Sequence, residues 1–263
     1  MSDTKQATLH VLAVGVGGYA KESGFGVLSY AVPSAKAIES LFMRQQANPK
    51  SPYKSVRVWG GLYDQDVTRD SLRKRLVEMA RSSGPDDVLF LYFVGHGIVS
   101  KEMYYFVPAN GRDVDLRETA FSTADLAEAL RYLPPRRIVL VVDSCQSGGA
   151  IEALGKVGVA KANAEEIRAM IDPPGAGRDH GVGIHIIAAT LPLSYAIGLV
   201  GGRSALANTL LEALQPTDGL IMTKQFEQHV MDRLKVFSRV ATPGFDQVPL
   251  VVSIGLNFAL IGN

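Results

Sequence analysis

The chain holds a single cysteine, Cys145, among 263 residues. It can close no internal disulfide and build no thiolate metal cluster. That scarcity suits a reducing compartment, and the expected location is the cytoplasm. The polar start, MSDTKQATLH, lacks the apolar core of an export signal, so secretion is not expected. No stretch approaches the roughly 20 unbroken apolar residues of a membrane-spanning helix, so no membrane is expected. A surplus of one charge sign is also missing, since 27 basic and 26 acidic residues leave a net charge of +1. Nucleic acid is therefore not expected as a partner either. Internal repeats and low-complexity tracts are absent as well.

What the chain has in quantity is core-forming material. It is 47% hydrophobic and 20% charged, and its length fits one large domain over residues 1–263. Apolar runs alternate with helical patterns. Residues 8–16, 55–59, 87–94, 138–142 and 184–190 read as strands, and 248–254 as an edge strand, where Pro249 is tolerated. The runs DVLFLYFV and IVLVV are continuous rather than alternating, as in strands covered on both faces. Pro33-Ser34 is expected to open a helix carrying Ala35, Ile38, Leu41 and Phe42. Asp70 is expected to cap a second, with Leu72, Leu76 and Met79 on one face. A hairpin is expected over 98–107, and Ser122-Thr-Ala-Asp125 reads as a capping box opening a third helix. Two more helices follow at about 204–214 and 223–237. Strands alternating with helices imply crossover connections and a mostly parallel sheet with helices on both faces. Residues 146–183 are rich in glycine, alanine and charge. They read as a flexible loop with one short helix around 163–171.

In such sheets, chemistry collects outside the carboxyl ends of the strands. One buried strand ends at Gly95-His96-Gly97 and another at Asp143-Ser144-Cys145. Taken singly, a cysteine after a buried strand is more often an inert core residue, and a histidine there is more often bland. Together, at equivalent ends of two buried strands, they offer a thiol and a base to activate it. Asp143 lies two residues before Cys145, so on a strand the two side chains share a face. A carboxylate there either caps the following turn or receives a cationic substrate side chain, Arg or Lys.

The boxes Tyr92-Phe-Val-Gly-His-Gly97 and Val142-Asp-Ser-Cys-Gln-Ser-Gly148 resemble the His and Cys boxes of the caspase/metacaspase clan. The His box also falls about 50 residues before the cysteine, as in caspases. The Asp-Ser-Cys-x-Ser-Gly form is closest to metacaspases and their bacterial, orthocaspase-type relatives. With the strand order and the Asp218-Gly-Leu-Ile-Met-Thr223 turn, the resemblance spans nearly the whole chain.

The resemblance implies a caspase-like three-layer α/β/α sandwich and a cysteine endopeptidase. Cys145 is then the nucleophile and His96 the base, with the backbone N–H groups of Gly97 and Cys145 as the oxyanion hole. It implies a protein substrate cut after a basic P1 residue received by Asp143. Metacaspases often carry a second pocket aspartate early in the first helix, where this chain has Ser34. Ser34 either hydrogen-bonds a guanidinium or is a plain helix N-cap. Leu193, Ser194 and Tyr195 are candidates for a further pocket wall.

The resemblance also implies a zymogen switched on by processing or by an activating or inhibitory protein partner, in a setting of bacterial antiviral defence or cell death. Lys156, Lys161, Arg168 and Arg178 are the candidate self-cleavage sites. Some metacaspases need calcium. Asp64, Asp66, Asp113 and Asp115 could contribute to a loose site, but no EF-hand-like loop is present, and neither a metal nor a cofactor is expected.

Two rival readings differ in class. Gly15-Val-Gly-Gly-Tyr-Ala20 fits a loose dinucleotide-binding pattern, but the residues after it do not read as the required helix. The other rival is a catalytically silent caspase-like module that only binds partners.

Overall fold

The computed structural model describes residues 4–101, 103–132, 135–145, 182–190, 202–215, 219–244 and 246–262. The helix expected around 163–171 lies outside them. A seven-stranded sheet forms the centre. Its strands are β1 (Thr8–Gly15), β2 (Ser55–Val58), β3 (Leu62–Tyr63), β4 (Val88–Gly95), β8 (Arg137–Ser144), β9 (Gly183–Ala188) and β11 (Leu250–Gly255). The spatial order is β11-β9-β8-β4-β1-β2, with β3 also on β1. All pairings are parallel except β11 with β9, so the expected edge strand is present and runs antiparallel.

Helices cover both faces. α1 (Ala31–Gln45), α5 (Ala205–Ala213) and α6 (Thr223–Ala241) lie on one side; α2 (Arg69–Ser82) and α4 (Thr123–Tyr132) lie on the other. Strand alternation sorts β4 between them. Leu89, Leu91 and Phe93 meet Leu72, Leu76, Met79 and Leu126. Phe90, Tyr92 and Val94 meet Ile38, Phe42, Leu210 and Phe226. Phe90 packs its ring between Phe42 (4.7 Å) and Phe226 (6.3 Å), so one strand residue anchors two helices. The expected three-layer α/β/α arrangement is the observed one.

Smaller elements complete the framework. β5 (Gly97–Ser100) and β6 (Met103–Phe106) form the expected hairpin, turning at Lys101 with φ 48°. A short helix α3 (Leu116–Thr119) leads into β7 (Phe121–Ser122), which adds to β6. β10 (Leu220–Met222) pairs with β12 (Ala259–Gly262).

Two local expectations need correction. α1 begins at Ala31, not at Pro33-Ser34, and Pro33 sits in the first turn, where its missing N–H has no helical acceptor to lose. α2 is capped by Thr68, not Asp70. Thr68 Oγ1 accepts from the Ser71 N–H (3.0 Å) and Ser71 Oγ accepts from the Thr68 N–H (2.8 Å), a reciprocal pair that Asp70 does not enter. The Ser122/Asp125 box is present as expected, with Ser122 N–H donating to Asp125 Oδ2 (2.9 Å) and Asp125 N–H to Ser122 Oγ (3.1 Å).

Gly15 shows how closely the layers approach at the business end of β1. A Cβ on it would sit 2.8 Å from Ala35 Cβ and 3.0 Å from the Ala31 carbonyl oxygen, so only glycine lets α1 lie this near the strand.

Candidate active site

β4 and β8 pair in register from Val88–Arg137 to Gly95–Ser144. His96 and Cys145 are the next residue on each chain. Parallel neighbours lie only about 4.8 Å apart, so the sheet itself sets the imidazole and thiol residues side by side. Cys145 is half-buried and forms no disulfide. Among the described residues the other histidines are committed elsewhere. His10 is held by Asp87 (3.3 Å) and the Trp59 indole N–H (3.0 Å). His185 is buried between Glu227 (2.6 Å) and the Leu256 carbonyl (2.9 Å), and His229 pairs with Glu212. His180 lies outside the described residues.

The loop between β1 and α1 orients His96. Its Nε2 lies 2.8 Å from the Gly26 carbonyl oxygen. A carbonyl only accepts, so Nε2 carries the proton and Nδ1 is left as the basic nitrogen. Tyr19 Oη accepts the His96 backbone N–H (3.0 Å), and its single proton faces the Val16 and Val107 carbonyls, each at 3.2 Å. The rings of Tyr19 (4.9 Å) and Phe25 (5.3 Å) flank the imidazole. Burial lowers the pKa of His96, against the opposing pull of the Gly26 carbonyl, so the ring is held neutral near pH 7. A neutral imidazole whose Nδ1 carries no proton is the form that can take a proton from a thiol.

Gly97 follows directly. The Val107 N–H bonds the His96 carbonyl (3.0 Å), which makes Gly97 and Phe106 a non-hydrogen-bonded pair of the hairpin. The Gly97 N–H therefore stands outside the β5–β6 ladder and points away from β6. A Cβ at Gly97 would lie 2.4 Å from Tyr104 Oη and 2.6 Å from Ser144 Oγ, two hydroxyls that are bonded to each other.

Asp143 is 1% exposed. Its Oδ2 accepts from Tyr92 Oη (2.6 Å) and from Ser204 Oγ, while Oδ1 is buried with no partner among the described residues. Burial raises its pKa from 3.8 to about 6, against the lowering by the Ser204 and Tyr92 hydroxyls. Ser204 is also the N-cap of α5, accepting from the Ala207 N–H (2.9 Å). Tyr30 closes the group: burial pushes its phenol up, and the neighbouring Asp143 and Cys145 push it further.

Of the residues expected from sequence, the structure brings together His96, Gly97, Cys145, Asp143 and Ser34. Ser34 is not an N-cap, since Tyr30 holds that position. Its hydroxyl donates to the Tyr30 carbonyl (2.7 Å) and accepts the Ser204 N–H (2.9 Å), tying α1 to α5 beneath Asp143. Ser194, Leu193, Tyr195, Lys156, Lys161, Arg168 and Arg178 lie outside the described residues. The dinucleotide-like loop is occupied internally, because the Gly17 and Gly18 N–H groups both donate to Asp64 Oδ1 at 2.8 Å. Among the aspartates considered for calcium, Asp115 pairs with Arg112, and Asp113 packs against Gly24. An open groove of about 930 Å³ between Arg69, Lys101, Asp113 and Glu128 lies on the hairpin side and includes neither His96 nor Cys145.

Sequence reasoning missed Tyr19, Gly26, Tyr30, Tyr92 and Ser204. Only Tyr92 left a signal: a phenol inside an otherwise apolar, two-sided strand needs a partner for its hydroxyl.

A family model described as the caspase domain matches residues 10–260. No curated protein matches the chain.

Two outcomes follow from this geometry. Cys145 is the sole thiol, so alkylation by iodoacetamide reads it alone. His96→Ala is expected to slow that alkylation at pH 7 by about tenfold, by removing the base; an unchanged rate would mean that the two residues are uncoupled. Asp143 is ionised at a stability penalty above pH 6, so Asp143→Asn is expected to raise the denaturant midpoint at pH 8. A shift from 3.8 to about 6 corresponds to about 3 kcal/mol. The gain shrinks as pH falls through 6 and is gone below about 4, where both forms are neutral.

Proposed function

This chain belongs to the caspase domain family of cysteine peptidases, and from that membership we propose that it is an endopeptidase cutting protein chains after basic residues, with Cys145 as nucleophile and His96 as base. The observation that carries the reading is the register of β4 with β8, which puts His96 and Cys145 at adjoining strand ends. The tautomer of His96 supports it, because the Gly26 carbonyl leaves Nδ1 as the proton acceptor.

In the proposed reaction His96 Nδ1 takes the Cys145 thiol proton as sulfur attacks the scissile carbonyl carbon. The oxygen turns into an oxyanion facing the N–H groups of Gly97 and Cys145. The imidazolium then protonates the departing amine, the carbon–nitrogen bond breaks, and a thioester remains. Water, deprotonated by His96, attacks the thioester; the peptide leaves as its acid and the thiol is restored. Gly97 suits this role because nothing larger fits between its Cα and Tyr104, so the backbone stays close to the reacting carbon.

The preference for a basic P1 side chain rests on Asp143, a buried carboxylate on the strand that delivers the nucleophile, with one oxygen lacking a partner among the described residues. Bringing a cation to it relieves a desolvated negative charge. Activation by cleavage after Lys156, Lys161, Arg168 or Arg178 completes the proposal, with a protein partner as the alternative switch.

Fluorogenic peptides with Lys or Arg at P1 test the activity. Hydrolysis is expected in the wild type and is lost, by more than about 10³-fold, in Cys145→Ala. Activity should fall as pH drops through about 6, where Asp143 takes up a proton. Equal hydrolysis by wild type and Cys145→Ala would remove the nucleophile. No hydrolysis by a chain whose Cys145 still alkylates would point instead to a silent binding module. Intact mass tests processing. Fragments ending at one of the four basic residues are expected in the wild type and absent in Cys145→Ala, and a wild-type chain that stays whole while it hydrolyses peptides would refute self-cleavage.

A further inference from the structure

The two oxygens of Asp143 are not equivalent. Oδ2 accepts two hydroxyl protons, from Tyr92 and from Ser204, and so has both of its acceptor positions filled. Oδ1 is buried with no partner among the described residues. The position from which α1 could have supplied a second carboxylate is Ser34. Its hydroxyl is already tied to the Tyr30 carbonyl and the Ser204 N–H, and it is fully buried.

Arginine owes its advantage at acidic pockets to two parallel N–H groups that meet two coplanar carboxylate oxygens. Here one of those two acceptors is taken. A guanidinium reaching Asp143 could engage Oδ1 only, leaving most of its five donors to be desolvated without an acceptor. An ammonium is a compact charge with three donors and needs no planar fork. One N–H can meet Oδ1, which leaves two donors rather than a guanidinium's four to find partners elsewhere.

We propose that this site reads the P1 side chain through the single oxygen Asp143 Oδ1 and therefore selects lysine over arginine, with Tyr92 and Ser204 as the residues that set the choice. The inference rests on the reading of Asp143 as the P1 carboxylate and refines it. Tyr92 and Ser204 act as positioning residues: they hold the carboxylate's rotation and occupy the oxygen that a guanidinium would need.

The test uses two peptidyl chloromethyl ketones identical except for Lys or Arg at P1. Their second-order rates of Cys145 alkylation, followed by intact mass, require only a formed site and no turnover. The wild type is expected to favour the Lys reagent by about fivefold or more. Tyr92→Phe keeps the ring and removes one donor from Oδ2, so the ratio should move toward Arg. Ser34→Asp adds a second carboxylate and should move it further the same way. An Arg preference in the wild type, or a ratio that stays fixed in both variants, would overturn the single-oxygen reading. A third reagent with Ala at P1 separates the underlying assumption. If it reacts as fast as the other two, or if Asp143→Asn leaves all three rates unchanged, Asp143 does not recognise P1 and both readings fall.

Discussion

Everything at the candidate site hangs on the parallel ladder between β4 and β8. Eight residue pairs, from Val88–Arg137 to Gly95–Ser144, hold the two central strands in one register. Both strands are buried along their whole length, so a slip of one residue would carry each side chain from one helix layer to the other and undo its packing. The hydrophobic layers of α1, α5 and α6 on one side and α2 and α4 on the other thus fix the register. The register in turn fixes which residues emerge together at the strand ends. Placement of imidazole beside thiol is a by-product of core packing and needs no dedicated contact between the two side chains.

The same alternation explains why a carboxylate is tolerated in the interior. Asp143 continues the row of Val139 and Val141 toward α1 and α5, a face that is apolar away from the Tyr92, Ser34 and Ser204 hydroxyls. Two hydroxyls partly compensate its desolvation, and one oxygen has no partner among the described residues. Buried polar groups usually find partners, so an acceptor without one among the described residues is a local cost in stability. Around it, α1 and α5 are joined through Ser34 and Ser204, so the helix N-cap, the interhelical tie and the carboxylate's hydrogen bond share a few atoms.

Much of the framework was legible in the sequence because it is written in periodicity. The continuous runs DVLFLYFV and IVLVV marked the central strands, and the residues at their ends marked the candidate site. Features set by contacts between distant segments were not legible. Ser204 lies 61 residues from Asp143 in the chain, and the Gly26 carbonyl 70 from His96. Nothing local announces either. The capping of α2 shows a finer limit: Thr68 and Asp70 are both good capping types, and the choice fell to Thr68 because Ser71 could return its hydrogen bond. The short pair β10 and β12 was not anticipated from the sequence.

The loop that orients His96 is made early in synthesis, the thiol strand later, and Ser204 later still. A chain halted after residue 145 would have its sulfur and its imidazole but not the hydroxyl that completes the bed of Asp143, nor the helix that buries it. The hydrogen-bonded bed of Asp143 is complete only once α5 has been made and packed against the sheet.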